Sequence, residues 1–393
     1  MGSVNITLAN GQLGATLQTA DGTCGMVLTG LSESGGYTLG TPILVTSLDN
    51  LATQGISQTG NVFAYRQVKE FYQEAGSGAK LYLLLVPGTM KVNQMADGTN
   101  GNGAVKLLDY AAGAIKVLGI ISNDTLVYPG GTGLLTTHRI NEDVYTAASN
   151  MAITANTYSL AQKPFRCIIG GTSYTGTPAS LTPITPGNNN HRTAIFIGDT
   201  VSGNAACLGL VLGRMSIIPV QRKISRVRTG AMTNSAAYLN ATTLESTGGD
   251  AGVIATQGYM TWKIYAQRSG YYISGDETIS DVLNDYRYLS RGRVMDKVQV
   301  LAYQTFVQEV DDEIPINTDG TLDAGFCKWL SSQMENQINN TMTANNEISS
   351  VSCYINPNQN ILSTNTLSIT IGIVPVGYAT VINVTLSFVN PNA

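Results

Sequence analysis

Apolar and polar residues along this chain follow two rhythms, and the change between them divides the molecule. Up to about residue 215, short runs that are apolar throughout alternate with longer segments in which apolar positions recur every three or four residues. The runs are 24–29, 81–86, 115–121, 165–169 and 193–197. Strands that expose neither face read this way, so a sheet covered on both sides is expected. Between them, residues 61–74, 104–114, 141–161 and 203–215 have helical spacing; in the first, Val62, Tyr65, Val68 and Tyr72 form one stripe, and Gly76 and Gly78 end it. Strands alternating with helices predict an α/β layer with parallel pairs. Residues 171–190, rich in Thr, Pro, Gly and Asn, read as a surface excursion, and 220–258 as a less regular connection.

The C-terminal third reads differently. A strand at 260–266 contains Trp262, 274–276 is a turn, and 278–281 begins a helix capped by Thr278 or Ser280. Helices at 292–310 (Val294, Val298, Leu301, Phe306) and 323–342 (Phe326, Trp329, Leu330, Met334, Ile338, Met342) follow. Three strands close the chain, at 349–355, 366–373 and 380–388. At the other end Val4, Ile6 and Leu8 alternate as an extended arm would. The expected class is α/β and α+β: an arm at 1–22, an α/β domain with a mixed sheet at 23–230, a domain of strands and two helices at 231–375, and an arm strand at 376–393. A strand of Thr, Val, Ile and Phe at 380–388 forms an edge, and its backbone groups need a partner.

Composition adds one constraint. Charged residues are 12% of the chain against 43% hydrophobic, about half the usual share of roughly 25%. A surface so poor in charge suits a protein covered by copies of itself; it also suits a β-rich protein with many turns. Net charge is −4, and the densest basic stretch, Arg222 to Arg228, alternates like a strand with one charged face, so no nucleic-acid partner is expected. Cys24, Cys167, Cys207, Cys327 and Cys353 are scattered in apolar contexts, as reduced thiols in a cytosolic setting are. With His138 and His191 alone, a multi-histidine metal site is not expected. Residues 1–5 lack the basic start and apolar core of a signal peptide, and no apolar run is long enough to span a membrane.

Catalytic patterns fall short one by one. The glycines at 101–103 and 130–133 lack the rest of a dinucleotide or phosphate loop and read as turns. Residues 171–176 miss the spacing of a nucleophile elbow by one position. Asp311, Asp312 and Glu313 lack the spacing of a calcium loop. No enzyme activity, cofactor or metal is expected. Tyr286, Arg287, Tyr288, Arg291 and Arg293 stand closer together than chance. They read either as a helix entry whose arginines lie over apolar surface or as an interface patch.

These residues carry a resemblance. Trp262 in a strand, Gly275-Asp276-Glu277-Thr278, the Tyr/Arg cluster, the two helices and the Pro375-Val376-Gly377 approach to a last strand occur in the order found in the C-terminal domain of contractile tail sheath proteins. Those proteins build phage tails, R-type bacteriocins and related contractile injection systems. The family's turn reads closer to Trp-Gly-x-Arg-Thr, of which Gly275 and Thr278 remain. The resemblance implies a structural subunit that stacks in rings around an inner tube and contracts to drive the tube through a cell envelope. Its implied partners are copies of itself, the inner tube, a baseplate and a tail terminator, with no nucleic acid and no membrane insertion. Its implied setting is a virion tail or contractile particle assembled in the bacterial cytoplasm. It places inter-subunit arm strands at Val4, Ile6 and Leu8 and at Val381, Asn383, Thr385 and Phe388. The exposed sides of the last two helices, with Arg293, Lys297, Lys328 and Glu335, would face the tube or simply solvent. The competing readings are a non-contractile capsid or tail structural protein and a soluble α/β enzyme.

Overall fold

The apolar runs form the centre of one sheet. A computed structural model describes residues 20–127, 139–203, 205–247 and 249–388. Its strands are β1 (Cys24–Gly30), β2 (Ile43–Val45), β3 (Leu81–Pro87), β4 (Val117–Ile121), β5 (Arg166–Gly170), β6 (Asn189–Asn190), β7 (Thr193–Ile197), β8 (Tyr238–Leu239), β9 (Thr242–Thr243), β10 (Met260–Lys263), β11 (Tyr272–Ile273), β12 (Ile279–Ser280), β13 (Ile348–Ile355) and β14 (Ile369–Pro375). Eight of them join in the order β11-β10-β7-β5-β4-β1-β3-β2. The six inner strands are parallel, and β2 and β11 run antiparallel at the two edges. The mixed sheet read from the sequence is therefore present.

The chain separates into two compact units, residues 1–304 and 305–393, so the boundary expected at 230 falls inside the first. In that unit, helices Val62–Ala75 and Leu208–Ile217 pack together on one face of the sheet, and Val92–Ala96, Ala104–Ala111 and Asp143–Leu160 cover the other. Both faces are thereby closed, which is why the central strands carry no polar alternation. The first pair of helices meets at glycine. A Cβ on Gly209 would lie 1.8 Å from the Gln67 carbonyl oxygen, and one on Gly213 would lie 2.5 Å from that of Phe71. Gln67 uses the close approach: its amide donates to the Ala206 carbonyl and its oxygen accepts from Gly209 N, capping the second helix.

Charges inside this unit tie distant segments together. Arg166, 1% exposed at the start of β5, makes a bidentate pair with Asp296 (2.6 and 2.8 Å) and donates to the Gly292 and His191 carbonyls. Arg192 also reaches Asp296, at 3.0 Å. The helix Leu289–Phe306 is thus pinned by charge to the sheet. Gly292 permits it, since a Cβ there would fall 2.4 Å from the guanidinium carbon. Arg214 pairs with Glu74 at 2.6 Å. Arg66 pairs with Asp199 and lies 3.5 Å from Glu70.

Three local expectations are corrected. Residues 222–228 form turns and a short 3-10 helix, Val227–Thr229, instead of a strand. Residues 278–281 contain β12, which pairs antiparallel with β6 and starts no helix. Of the three closing strands two are present, β13 and β14, and 380–388 has no strand pairing among the described residues. The arm strand with Val4, Ile6 and Leu8, together with His138 and the 130–133 glycines, lies outside the described residues.

The second unit is small. Asp323 caps helix Ala324–Ile338 by accepting from Phe326 N at 2.7 Å. The helix passes into a π turn at Asn339–Thr343 and packs on β13, which pairs antiparallel with β14. Leu322, Cys327, Leu330 and Ile355 form its core.

Two stability predictions arise here. Gly209→Ala forces its methyl onto a backbone carbonyl and is expected to destabilise by about 2–3 kcal/mol or more. Gly252→Ala, exposed in the helix Asp250–Thr256 with nothing within 4 Å of its Cβ, is expected to stabilise by about 0.5–1 kcal/mol. Denaturant melts of the two variants check both. Burial holds the Glu70 carboxyl up at about 7 from the usual 4.5, and its Oε2 is buried without a hydrogen-bond partner. The folded state then keeps a proton that the unfolded chain has lost, so stability falls as pH rises from about 4.5 to about 7 and levels off above. Glu70→Gln is expected to flatten that slope and raise the thermal midpoint above neutral pH, as a melt series across this range will show.

Candidate functional site

The sequence patterns nearest to catalytic chemistry resolve into structural roles. Ser173, after β5, sits in left-handed backbone (φ 57°) and is buried. Its hydroxyl donates to Asp124, which also accepts from Ser122 and Asn141. Ser173 is thus one of three donors gathered on a buried carboxylate, which ties the residue after β5 to those after β4. His191 lies between β6 and β7 against the Tyr286 ring, with centroids 5.2 Å apart. Burial, with Arg166 and Arg192 beside it, pushes its imidazole below the usual range. At the carboxyl ends of β1 and β4, where the strand order reverses and open α/β sheets bind ligands, Asn123 N donates to Thr29 Oγ1 at 2.8 Å. Among the described residues no group of three or more His, Cys, Asp or Glu is placed to hold a metal ion. No helix there is long and apolar enough to cross a membrane.

The Tyr/Arg cluster builds a helix start. Asp276 accepts from Ser290 N at 3.1 Å and, through its carbonyl, from Leu289 N, so it caps the helix Leu289–Phe306 from outside. Lys223 pairs with Asp276 at 3.3 Å and rests over the Tyr288 ring, 3.2 Å from its centroid. Arg287 and Arg291 flank the same ring at 5.5 and 5.4 Å. The Gly275-Asp276-Glu277-Thr278 turn thus holds the helix that Asp296 anchors to β5.

The four residues expected on exposed helix faces separate. Arg293 is corrected: it is 3% exposed, and its guanidinium donates inward to the carbonyls of Asp21, Met215 and Ile218. That places a cation at the end of the helix Leu208–Ile217, where carbonyls lack helical partners. Lys297 is half-buried and pairs with Asp21 at 2.7 Å. Lys328 is exposed, next to Trp329, which is 46% exposed. Glu335 is half-buried and accepts from Cys353 N at 2.8 Å.

What remains is an exposed segment at the end of the described residues. Residues 381–388 are exposed throughout. If extended, they place Ile382, Val384, Leu386 and Phe388 on one face and Val381, Asn383, Thr385 and Ser387 on the other. The first set is 72–108% exposed, an all-apolar face in solvent. The expected arm residues Val381, Asn383 and Thr385 share one side, and Phe388 belongs to the other. In the same unit β13 and β14 form a sheet of two strands, so each has one edge without a neighbouring strand among the described residues. Their odd-numbered residues are half-buried or buried from 351 to 355 and from 369 to 373, while the even-numbered ones are exposed. The sequence pattern located the segment. It did not reveal the bond from Glu335 to Cys353, which joins positions 18 apart that share no motif.

Solved structures share this architecture. The chain aligns with the helical sheath of the anti-feeding prophage in its contracted state at a TM-score of 0.62, with 13% identity over 98% of both chains. A chain of the anti-feeding prophage baseplate aligns at 0.62, with 13% identity over 99% of this chain and 100% of that one. The sheath complex of an extracellular contractile injection system, PVC, in its contracted state aligns at 0.58, with 12% identity over 100% and 99%. These likenesses establish a sheath-type fold over the whole chain. Among curated proteins no sequence match is found. Residues 1–278 match the family model described as DUF2586, N-terminal domain, and residues 285–393 match DUF2586, C-terminal domain; the chain belongs to the DUF2586 family.

Proposed function

We propose that this chain is the structural subunit of a contractile sheath, polymerising around an inner tube and shortening to drive it. The observation that carries the proposal is the exposed, uncharged segment 381–388 with one wholly apolar face, in a unit whose own sheet stops at two strands. Such a segment completes its backbone hydrogen bonds by adding to the sheet of another copy. The likeness to sheath chains over the full length supports the reading, and the likeness to a baseplate chain supports a baseplate as neighbour. The role is structural and not enzymatic. A tail or contractile particle is its place, with the tube and a terminator as further partners. Lys328, exposed on its helix, is the tube-facing residue that remains of the four. Val4, Ile6 and Leu8 supply the arm at the other end.

Magnitudes explain why such a joint can hold a lattice and still let it move. Burying Ile382, Val384, Leu386 and Phe388 is worth about 1.5–3 kcal/mol each. Ordering eight residues costs about 1–2 kcal/mol apiece. The two nearly cancel, and main-chain bonds of about 1 kcal/mol each tip the balance. One arm is a weak link, whereas many arms in a closed lattice act together.

Negative-stain micrographs of the purified chain are expected to show tubes, in long and short forms from one preparation. Tubes of a single length or closed shells would point to a non-contractile structural protein instead. Removing residues 380–393 is expected to leave a folded subunit that forms no tubes; tubes from the truncated chain would refute the arm. Val384→Asp and Leu386→Asp, on the apolar face, are expected to raise the critical concentration for polymerisation about tenfold or more, because each carries an unpaired charge into the joint. Asn383→Asp and Ser387→Asp, on the other face, are expected to change it about twofold or less, as light scattering against concentration will measure.

A further inference from the structure

The two outer edges of the β13–β14 sheet, which meet no further strand among the described residues, are chemically different. In an antiparallel pair, alternate residues turn both N–H and C=O away from the partner strand. On β13 the Cys353 N–H goes to Glu335 Oε1 at 2.8 Å, so Cys353 faces outward, and Val351 and Ile355 face the same way by parity. Across the ladder their partners are Ile373, Ile371 and Ile369, whose N–H and C=O make the outward edge of β14. Residues 366–377 contain no charged side chain, and neither do 380–388. An approaching strand therefore meets one edge whose central donor is already held by a carboxylate and one edge without charge.

We infer that Glu335 is an edge guard. In the free subunit it holds the N–H that a docking strand would need on β13. The 380–388 segment of a second copy then adds first to β14, and β13 takes a strand only after the carboxylate has swung away. This rests on the sheath reading above and specifies its order of joining. Displacing Glu335 exchanges a charge-assisted hydrogen bond for a neutral carbonyl one, which is about half as strong. Glu335 is half-buried, so its carboxylate can return to water when it leaves and the block is reversible. Charged side chains at sheet edges commonly prevent untimely strand pairing. Here the charge reaches the edge from the helix Ala324–Ile338 that supports the same sheet.

The guard is tested by polymerisation of the full chain. Glu335→Ala is expected to lower the critical concentration about fivefold or more, while Glu335→Gln, whose neutral amide oxygen still accepts but without the assistance of charge, falls between alanine and the unmodified chain. An alanine variant that keeps its thermal midpoint and polymerises no more readily overturns the inference. A second measurement needs no variant at position 335. The chain ending at residue 379, which loses the exposed residues 380–388 and the five that follow them, is titrated with a synthetic peptide of residues 380–393 and followed by amide hydrogen exchange. Protection of 369–373 at about fivefold lower peptide concentration than 351–355 supports the guard. Equal or reversed order overturns it and leaves the arm reading standing. No protection of either strand refutes the arm reading and the guard with it.

Discussion

Every backbone N–H and C=O removed from water needs a partner, and this obligation arranges the whole chain. In the first unit it is met largely internally. Six parallel strands pair side by side, short antiparallel β2 and β11 form the two edges, and helices cover both faces. In the second unit it is only partly met. β13 and β14 satisfy each other along one edge apiece, and residues 381–388 pair with no strand among the described residues. A two-stranded sheet is marginal by itself, so the second unit leans on the helix Ala324–Ile338 and leaves room for more strands. A wide sheet with short edge strands and helices on both faces thus stands in one unit, and a two-stranded sheet in the other.

The first unit is held by charges placed where no solvent reaches. Asp296 receives both Arg166 and Arg192, and Arg293 spends its donors on carbonyls of Asp21, Met215 and Ile218. All these acidic and basic groups converge on the helix Leu289–Phe306. Buried pairs of this kind add little net stability, yet leaving one partner alone is costly. They act as register pins: the helix cannot rotate or slide a turn without stranding a charge. Such pinning fixes the position of that helix in a way that extra apolar area, which is not directional, would not.

The sequence made the sheet legible because its apolar runs are too short for buried helices and are bounded by turn residues, as Leu81 to Val86 is by Gly78 and Pro87-Gly88. Helices with a clear stripe, such as Val62–Ala75, were equally plain. The failures have a common cause, which is that distant segments decide them. Arg222 to Arg228 alternates like a strand, but Lys223 is drawn to Asp276 and the Tyr288 ring, and the backbone turns to deliver it. Ser280 looked like a helix cap, yet the cap is Asp276, reaching Ser290 N from 14 positions away. Arg293 looked exposed because its helix neighbours are mixed; its acceptors lie some 75 residues and more away in sequence. Glu335 belongs to the same class, since its role depends on which way Cys353 turns its N–H.

The low charge of the chain takes on a sharper meaning from this arrangement. Of 22 basic and 26 acidic side chains, a dozen are buried, among them Glu70, Glu74, Arg166, Arg192, Asp199, Arg214, Lys223, Asp276, Arg293 and Asp296. The first unit consumes charges that a solitary protein would keep outside for solubility. The surface left over is poorer in charge than the composition suggests, and the segment 380–388 carries none. Copies of such a surface approach one another with little repulsion at any salt concentration. With so little charge to act at a distance, control of contacts falls to local groups, and the Glu335 carboxylate on the Cys353 N–H is one such group at a strand edge.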